Sequence, residues 1–146
     1  MDPEQHTALL AARAAAASAR AKQSGFRVGA AVLDEIGRVH PGCNVESDSY
    51  GLTVCAERVA VFAALAAGAR SLVALAVSCP APGGRRGADG GGDSAVRAPP
   101  SAERMPCGAC RQIMVEYLAA DARVLVDEVG EFSPSELLPE AFRLPG

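Results

Sequence analysis

Thr53-Val54-Cys55-Ala56-Glu57-Arg58 and, further along, Pro106-Cys107-Gly108-Ala109-Cys110-Arg111 are the two stretches that decide how this chain is read. Cys107 and Cys110 are three residues apart, so both sulfurs lie on one face of a helix's first turn if Pro106 stands just inside its start. That spacing suits zinc. A third thiolate from Cys55 would leave the fourth tetrahedral position open, and an open position separates a catalytic zinc from a closed structural one. Glu57 is then the proton carrier. Residues two apart do not share a helix face, so Cys55 and Glu57 serve one site only if the metal lies off the helix end. A helix N-terminus also favours a thiolate, because the aligned peptide dipoles stabilise negative charge there.

Outward from these stretches the pattern alternates between helix and strand. Thr53 reads as the N-cap of a helix over about 54–67 that Gly68 ends, and a second helix is expected over about 107–120. The apolar runs Val28 to Leu33 and Leu72 to Ser78 suit strands buried on both faces. Asp34 to Arg38 reads as a hairpin connection in which Gly37 takes a positive φ. A second strand then reaches Glu46, and Arg123 to Asp127 gives a fourth. An alanine-rich helix over about 7–22, with Thr7 as N-cap, precedes all of them. Ser133-Pro134-Ser135-Glu136 opens a short terminal helix. The sum is an α/β fold, a mixed β-sheet covered by helices, with the metal between two helix N-termini. At 146 residues the chain fits one domain, 1–146.

Side chains alternate along a strand, so Asn44 and Glu46 share one face while Cys43 and Val45 share the other. An amide beside a carboxylate can donate to and accept from a sugar hydroxyl, although the solvated face of an edge strand would read the same way. Phe26, at the entrance of the first strand, has on residue type alone the reading of a core aromatic. Cys43 and Cys79 belong to no motif and read as structural.

Composition excludes several classes. The net charge is -3, so there is no overall basic field, and nucleic-acid binding is not expected. Five cysteines, without a secretory segment, fit metal binding better than a disulfide framework and imply a reducing, cytoplasmic setting. The run Ala8 to Ala21 is interrupted by Arg13 and Arg20, and no apolar run is long enough to span a bilayer, so no membrane partner is expected. Residues 80–102 are rich in Gly and Pro and read as a flexible insertion, either passive or a lid over the site. Arg85, Arg86, Arg97 and Arg104 make it locally basic.

Phe26-Arg27-Val28-Gly29-Ala30-Ala31-Val32, Gly42-Cys43-Asn44-Val45-Glu46, Ser49 to Arg58, Pro106 to Gln112 and the tail Glu136 to Phe142 together resemble the homotetrameric, three-cysteine branch of the cytidine/deoxycytidylate deaminase family. The resemblance implies a three-layer fold with a five-stranded core, and a Zn2+ ion held by Cys55, Cys107 and Cys110. It implies that Glu57 carries protons in the hydrolytic deamination of cytidine and deoxycytidine to uridine and deoxyuridine with release of ammonia, a step of pyrimidine salvage. It also implies substrate contacts from Phe26, Asn44, Glu46, Tyr50 and Ala56, with Phe142 approaching a neighbouring subunit's site. Three thiolates on a divalent ion leave a net negative charge, which Arg58 and the helix dipoles can offset. Two positions depart from the family pattern: Gln23 stands where Tyr is common, and Asp48 where small or amide residues are. The rival readings are a deaminase of another aminopyrimidine, such as a cytosine-containing nucleoside antibiotic, and a structural zinc module needing a fourth ligand that neither His6 nor His40 offers in a recognisable motif. A polynucleotide deaminase is disfavoured by the acidic balance.

Overall fold

The structure, a computed structural model, describes residues 1–80 and 101–146. In chain order the elements are α1 (Pro3–Ala15), a 3-10 turn (Ala16–Ser18), β1 (Gly29–Asp34), β2 (Val39–Cys43), a second 3-10 turn (Tyr50–Leu52), α2 (Ala56–Ala66) and β3 (Leu72–Ser78). After them come α3 (Ser101–Arg104), α4 (Gly108–Tyr117), β4 (Leu118–Val126), β5 (Gly130–Phe132) and α5 (Pro134–Leu137). Among the described residues five strands form one mixed sheet in the order β2-β1-β3-β4-β5. Of these neighbours only β3 and β4 run parallel, with α4 leading directly into β4; the others are antiparallel.

Strand alternation separates two packed layers. Ala30, Val32, Leu75, Val77, Val124 and Val126 face one way and pack with Ala56, Ala60 and Val61 of α2 and with Cys110 and Met114 of α4. Ala31, Ala76 and Leu125 face the other way, onto Ala8, Leu9 and Ala12 of α1. Two glycines set how closely the helices approach. A Cβ on Gly29 would stand 1.9 Å from the carbonyl oxygen of Ala12, and one on Gly42 would stand 2.5 Å from the backbone nitrogen of Ala60. Backbone therefore lies directly on backbone at both places, and α2 is pressed against β2 beside the site it helps to build.

Several boundaries differ from the sequence expectation. The first helix begins at Pro3, not near Thr7, because Asp2 and Gln5 form a reciprocal capping box, and it gives way at Ala15 to a 3-10 turn. Thr7 donates its hydroxyl to the carbonyl of Pro3 instead, at 2.9 Å. The helix expected to reach residue 120 stops at Tyr117, and Leu118 pairs with Leu72 in the sheet. Pairing and burial of Leu118 and Ala122 outweigh the helix propensity of the alanines between them. The short β5 was not read from its residues at all; it is an edge strand of three residues paired with the end of β4. Gly37 does take a positive φ, 87°, in the β1–β2 connection. The insertion expected over 80–102 lies outside the described residues, apart from Pro80 and from Ser101 and Ala102, which open α3. Arg104, counted with that basic segment, is buried: it donates to the carbonyl of Asp127 at 3.1 Å and pairs with Glu128 at 2.9 Å.

Candidate active site

Both zinc-motif helices open on a cysteine. Cys55 is the N-cap of α2 and Cys107 the N-cap of α4, and neither side chain caps its helix through a hydrogen bond. Thr53, the expected cap, lies two residues too early and accepts from the backbone of Ser47 instead, at 3.1 Å. Each sulfur is therefore directed off a helix end rather than back into it. Cys110, in the first turn of α4, is buried.

The three Sγ atoms lie within 4.8 Å of one another, and those of Cys55 and Cys107 are 3.7 Å apart. The spacing fits a metal. Zinc–sulfur bonds of about 2.3 Å in a tetrahedron place two ligand sulfurs about 3.8 Å apart. Among the described residues no His, Asp or Glu joins this cluster. Arg58 donates from Nη2 to Cys55 Sγ at 3.6 Å. A hydrogen bond from Cys110, reinforced by Arg58 and Cys107, pulls the Cys55 thiol down to about 5 against the cost of its burial. The Cys110 thiol is pushed up for the same two reasons, the bond it shares with Cys55 and its burial. Arg111 fixes the start of α4 by donating to the carbonyls of Pro106 and Leu137, each at 2.8 Å.

Glu57 follows Cys55 by two residues and is 5% exposed. Burial, with the Cys55 charge beside it, pushes its carboxyl up to about 7. A buried acid poised near neutrality, next to three thiols, is the arrangement expected of a proton carrier.

Cys55, Ala56, Glu57 and Cys107 share a cavity of about 210 Å³ with Phe26, Asn44 and Glu46. The structure thus brings these seven residues, singled out in the sequence or by the family resemblance, to the lining of one cavity. Asn44 and Glu46 lie just past the end of β2, yet the alternation continues: Asn44 is buried, Val45 is turned out and Glu46 is half-buried. Asn44 braces the entrance of β1, donating to the carbonyl of Phe26 at 2.8 Å and accepting from the backbone N–H of Val28 at 2.9 Å. The Glu46 carboxylate accepts from the backbone N–H groups of Gln23 and Ser24, at 2.9 and 3.0 Å, and from the Ser24 hydroxyl.

The cavity also contains residues that sequence reasoning missed. Ser24 was read only as part of a helix break, and no spacing signal marked it. Cys79, read as structural, contributes to the wall while remaining buried. Burial and the nearby Glu57 push its thiol up to about 12, so it is chemically quiet. Met105 enters the wall from the segment between α3 and α4. Tyr50 and Phe142 are not among the cavity-lining residues; both are well exposed, at 78% and 69%. The tail carrying Phe142 is tied to α4 through its own carbonyl, which accepts from Gln112 at 2.9 Å.

An α/β domain with three thiols converging from two helix N-termini, beside one buried carboxyl, defines a metal-site protein equipped for proton transfer. The chain belongs to the cytidine and deoxycytidylate deaminase family: residues 3–126 match the description "Cytidine and deoxycytidylate deaminase zinc-binding region". It is 43% identical over 123 residues to a cytidine deaminase of Halalkalibacterium halodurans, covering 82% of this chain and 79% of that protein. It is 41% identical over 131 residues to one of Mycobacterium tuberculosis, covering 89% and 83%. The crystal structure of a cytidine deaminase from Burkholderia pseudomallei matches 97% of this chain and 100% of its own, with a TM-score of 0.75 and 40% identity.

Proposed function

We propose that the protein catalyses the zinc-dependent hydrolytic deamination of cytidine and deoxycytidine to uridine and deoxyuridine, releasing ammonia. The observation that carries this reading is Glu57, buried beside the three-thiol cluster in a cavity that Asn44 and Glu46 also line. Cys55, Cys107 and Cys110 would hold the zinc. When bound there, the ion supplies the Lewis acidity that makes water a nucleophile at neutral pH.

Glu57 accepts the proton of the attacking water, delivers it to N3 of the base and then serves the departing amine at C4. Its burial keeps it from being levelled by bulk water. Arg58 and the two helix N-termini offset the negative charge that three thiolates bring. Ala56, the first residue of α2, has a backbone N–H without an intrahelical acceptor, available to the base. Phe26 lines the cavity, and Asn44 and Glu46 meet the sugar. In this reading Tyr50 contacts the substrate, and Phe142 acts across subunits of a homotetramer. Their exposure, together with that of Leu52 and Leu144, supports an assembled form because so much apolar surface is otherwise left in water. The need to keep three thiols reduced favours the cytoplasm.

Zinc analysis of the purified protein, coupled to an ultraviolet assay over cytidine, deoxycytidine, cytosine and cytidine monophosphate, tests the proposal. Stoichiometric zinc with turnover confined to the two nucleosides is expected. Zinc without turnover of any of the four would refute it in favour of another aminopyrimidine substrate or a structural metal module.

A further inference from the structure

We infer that Gln23 and Asp48 are a matched pair of positioning residues for the cavity-lining residues Ser24, Phe26 and Glu46. The inference rests on the proposed nucleoside activity. The geometry begins with two strands of chain running side by side. Arg20 N–H donates to the carbonyl of Asn44 at 2.9 Å, and Glu46 N–H donates to the carbonyl of Arg20 at 2.8 Å. From there the carboxylate of Glu46 reaches back and gathers the turn at Gln23 and Ser24. Ser24 passes the hold on, its Oγ accepting from the backbone N–H of Phe26 at 2.9 Å.

These contacts form a chain from Glu46 through Ser24 to Phe26, and all three residues line the cavity. None of them depends on the side chain of Gln23. That side chain has its own partner: Nε2 donates to Oδ1 of Asp48 at 2.8 Å, and Lys22 Nζ reaches the same oxygen at 3.0 Å. The turn is therefore clasped twice, from inside by Glu46 and from outside by Asp48.

The two holds have different duties. Glu46 must share its oxygens with a sugar hydroxyl when substrate is bound, which loosens the inner hold at the moment when Phe26 and Ser24 most need to stay in place. The Gln23–Asp48 bond touches no substrate and is not diverted. It keeps the turn fixed while Glu46 changes partners, so that less ordering is left to occur on binding.

Steady-state kinetics on cytidine with Gln23→Ala, Asp48→Ala, their combination and Asp48→Asn tests this. Each alanine variant should raise KM about three- to tenfold, the range for one lost hydrogen bond, with kcat within about twofold of the parent. Zinc content and Tm should be unchanged. The double variant should be no worse than the poorer single, because both remove one interaction. Asp48→Asn keeps the acceptor while losing the Lys22 ion pair, and should restore the parent KM. Unchanged KM in both alanine variants, or additive losses, would overturn the inference; so would a fall in kcat and Tm together, which marks a merely structural role. Hydrogen exchange over residues 22–28 supplies a readout independent of substrate and should be faster in the alanine variants. If the parent enzyme turns over no cytosine nucleoside, the functional reading falls and exchange alone judges the clasp, which unaltered exchange in the variants would overturn.

Discussion

The sulfurs of Cys55 and Cys107 meet at 3.7 Å across 52 residues of sequence, because each cysteine is the residue that opens its helix. Cys107 is the exposed member of the three, so replacing it disturbs the core least while removing one of the three proposed ligands. Cys107→Ser should therefore lower zinc content to below about a tenth of the parent's and, with it, the melting temperature. Bound metal stabilises the folded state by mass action, about 4 kcal/mol at a thousand times its dissociation constant. Elemental analysis and thermal melts, with a chelator-treated parent as reference, check this. Full zinc occupancy with an unchanged melt would show that Cys107 is no ligand.

Glu57→Gln should retain zinc and fold but lose nearly all turnover. The amide fills the same buried space and cannot carry the proton, and a positioned acid/base is worth about 100 to 10,000-fold. More than about a tenth of parent activity in the variant, measured at saturating cytidine, would remove Glu57 from the role of proton carrier.

Part of the three-cysteine cluster was legible in the sequence because spacing is a local property: Cys-x-x-Cys brings two sulfurs together, whereas Cys55 meets them across 52 residues and was joined to them only by the family pattern. The strands β1 and β3 were legible for a similar reason, their apolar runs being continuous. What stayed hidden is non-local. Nothing in residues 23–24 announces that they will be gathered by Glu46, more than twenty positions away, and β5 is too short to carry a period of its own. The start of α1 was missed although its signal was local. Asp2, Pro3 and Gln5 form a complete cap, and the weight given to the alanine run moved the boundary inward.

The Arg13–Asp127 pair makes stability depend on pH in acid. Arg13 holds Asp127 with two bonds, at 2.8 and 2.7 Å, and Ser78 donates to it at 2.7 Å. Arg13 foremost, then Ser78, hold the Asp127 carboxyl below the usual range against the cost of burial. Because the folded pKa lies below the unfolded one, the contribution is full above the unfolded value near 4 and is lost as pH falls through the folded value. Arg13→Ala should cost about 1.5 to 2 kcal/mol at pH 7, the lower part of the range for charged hydrogen bonds because Arg13 is half exposed. That deficit should shrink at pH near 3. Urea melts of parent and variant at both pH values check the sign, and comparing the two proteins at each pH cancels any shared loss of metal. A deficit that stays constant into acid would contradict it.

Asn44 and Glu46 were expected to act alike on the sugar, but their surroundings give them separable effects. Asn44 is buried, and its amide satisfies the carbonyl of Phe26 and the N–H of Val28. Asn44→Ala leaves both backbone groups short of a partner at the entrance of β1. Each buried unsatisfied group costs about 1 to 3 kcal/mol, so this variant should lose stability as well as activity. Glu46→Gln should behave differently. Its carbonyl oxygen can still accept from the backbone of Gln23 and Ser24, and its amide can donate to Ser24 Oγ, so the turn is kept while the charge is lost. A hydrogen bond to a charged group is worth about 1.5 to 3 kcal/mol, which predicts a fall of about tenfold to a hundredfold in kcat/KM for cytidine with little change in Tm. Thermal melts, zinc content and cytidine kinetics on the two variants separate the roles. Equal loss of stability in both would make Glu46 a structural brace like Asn44, and normal turnover in Glu46→Gln would take the sugar contact away from it.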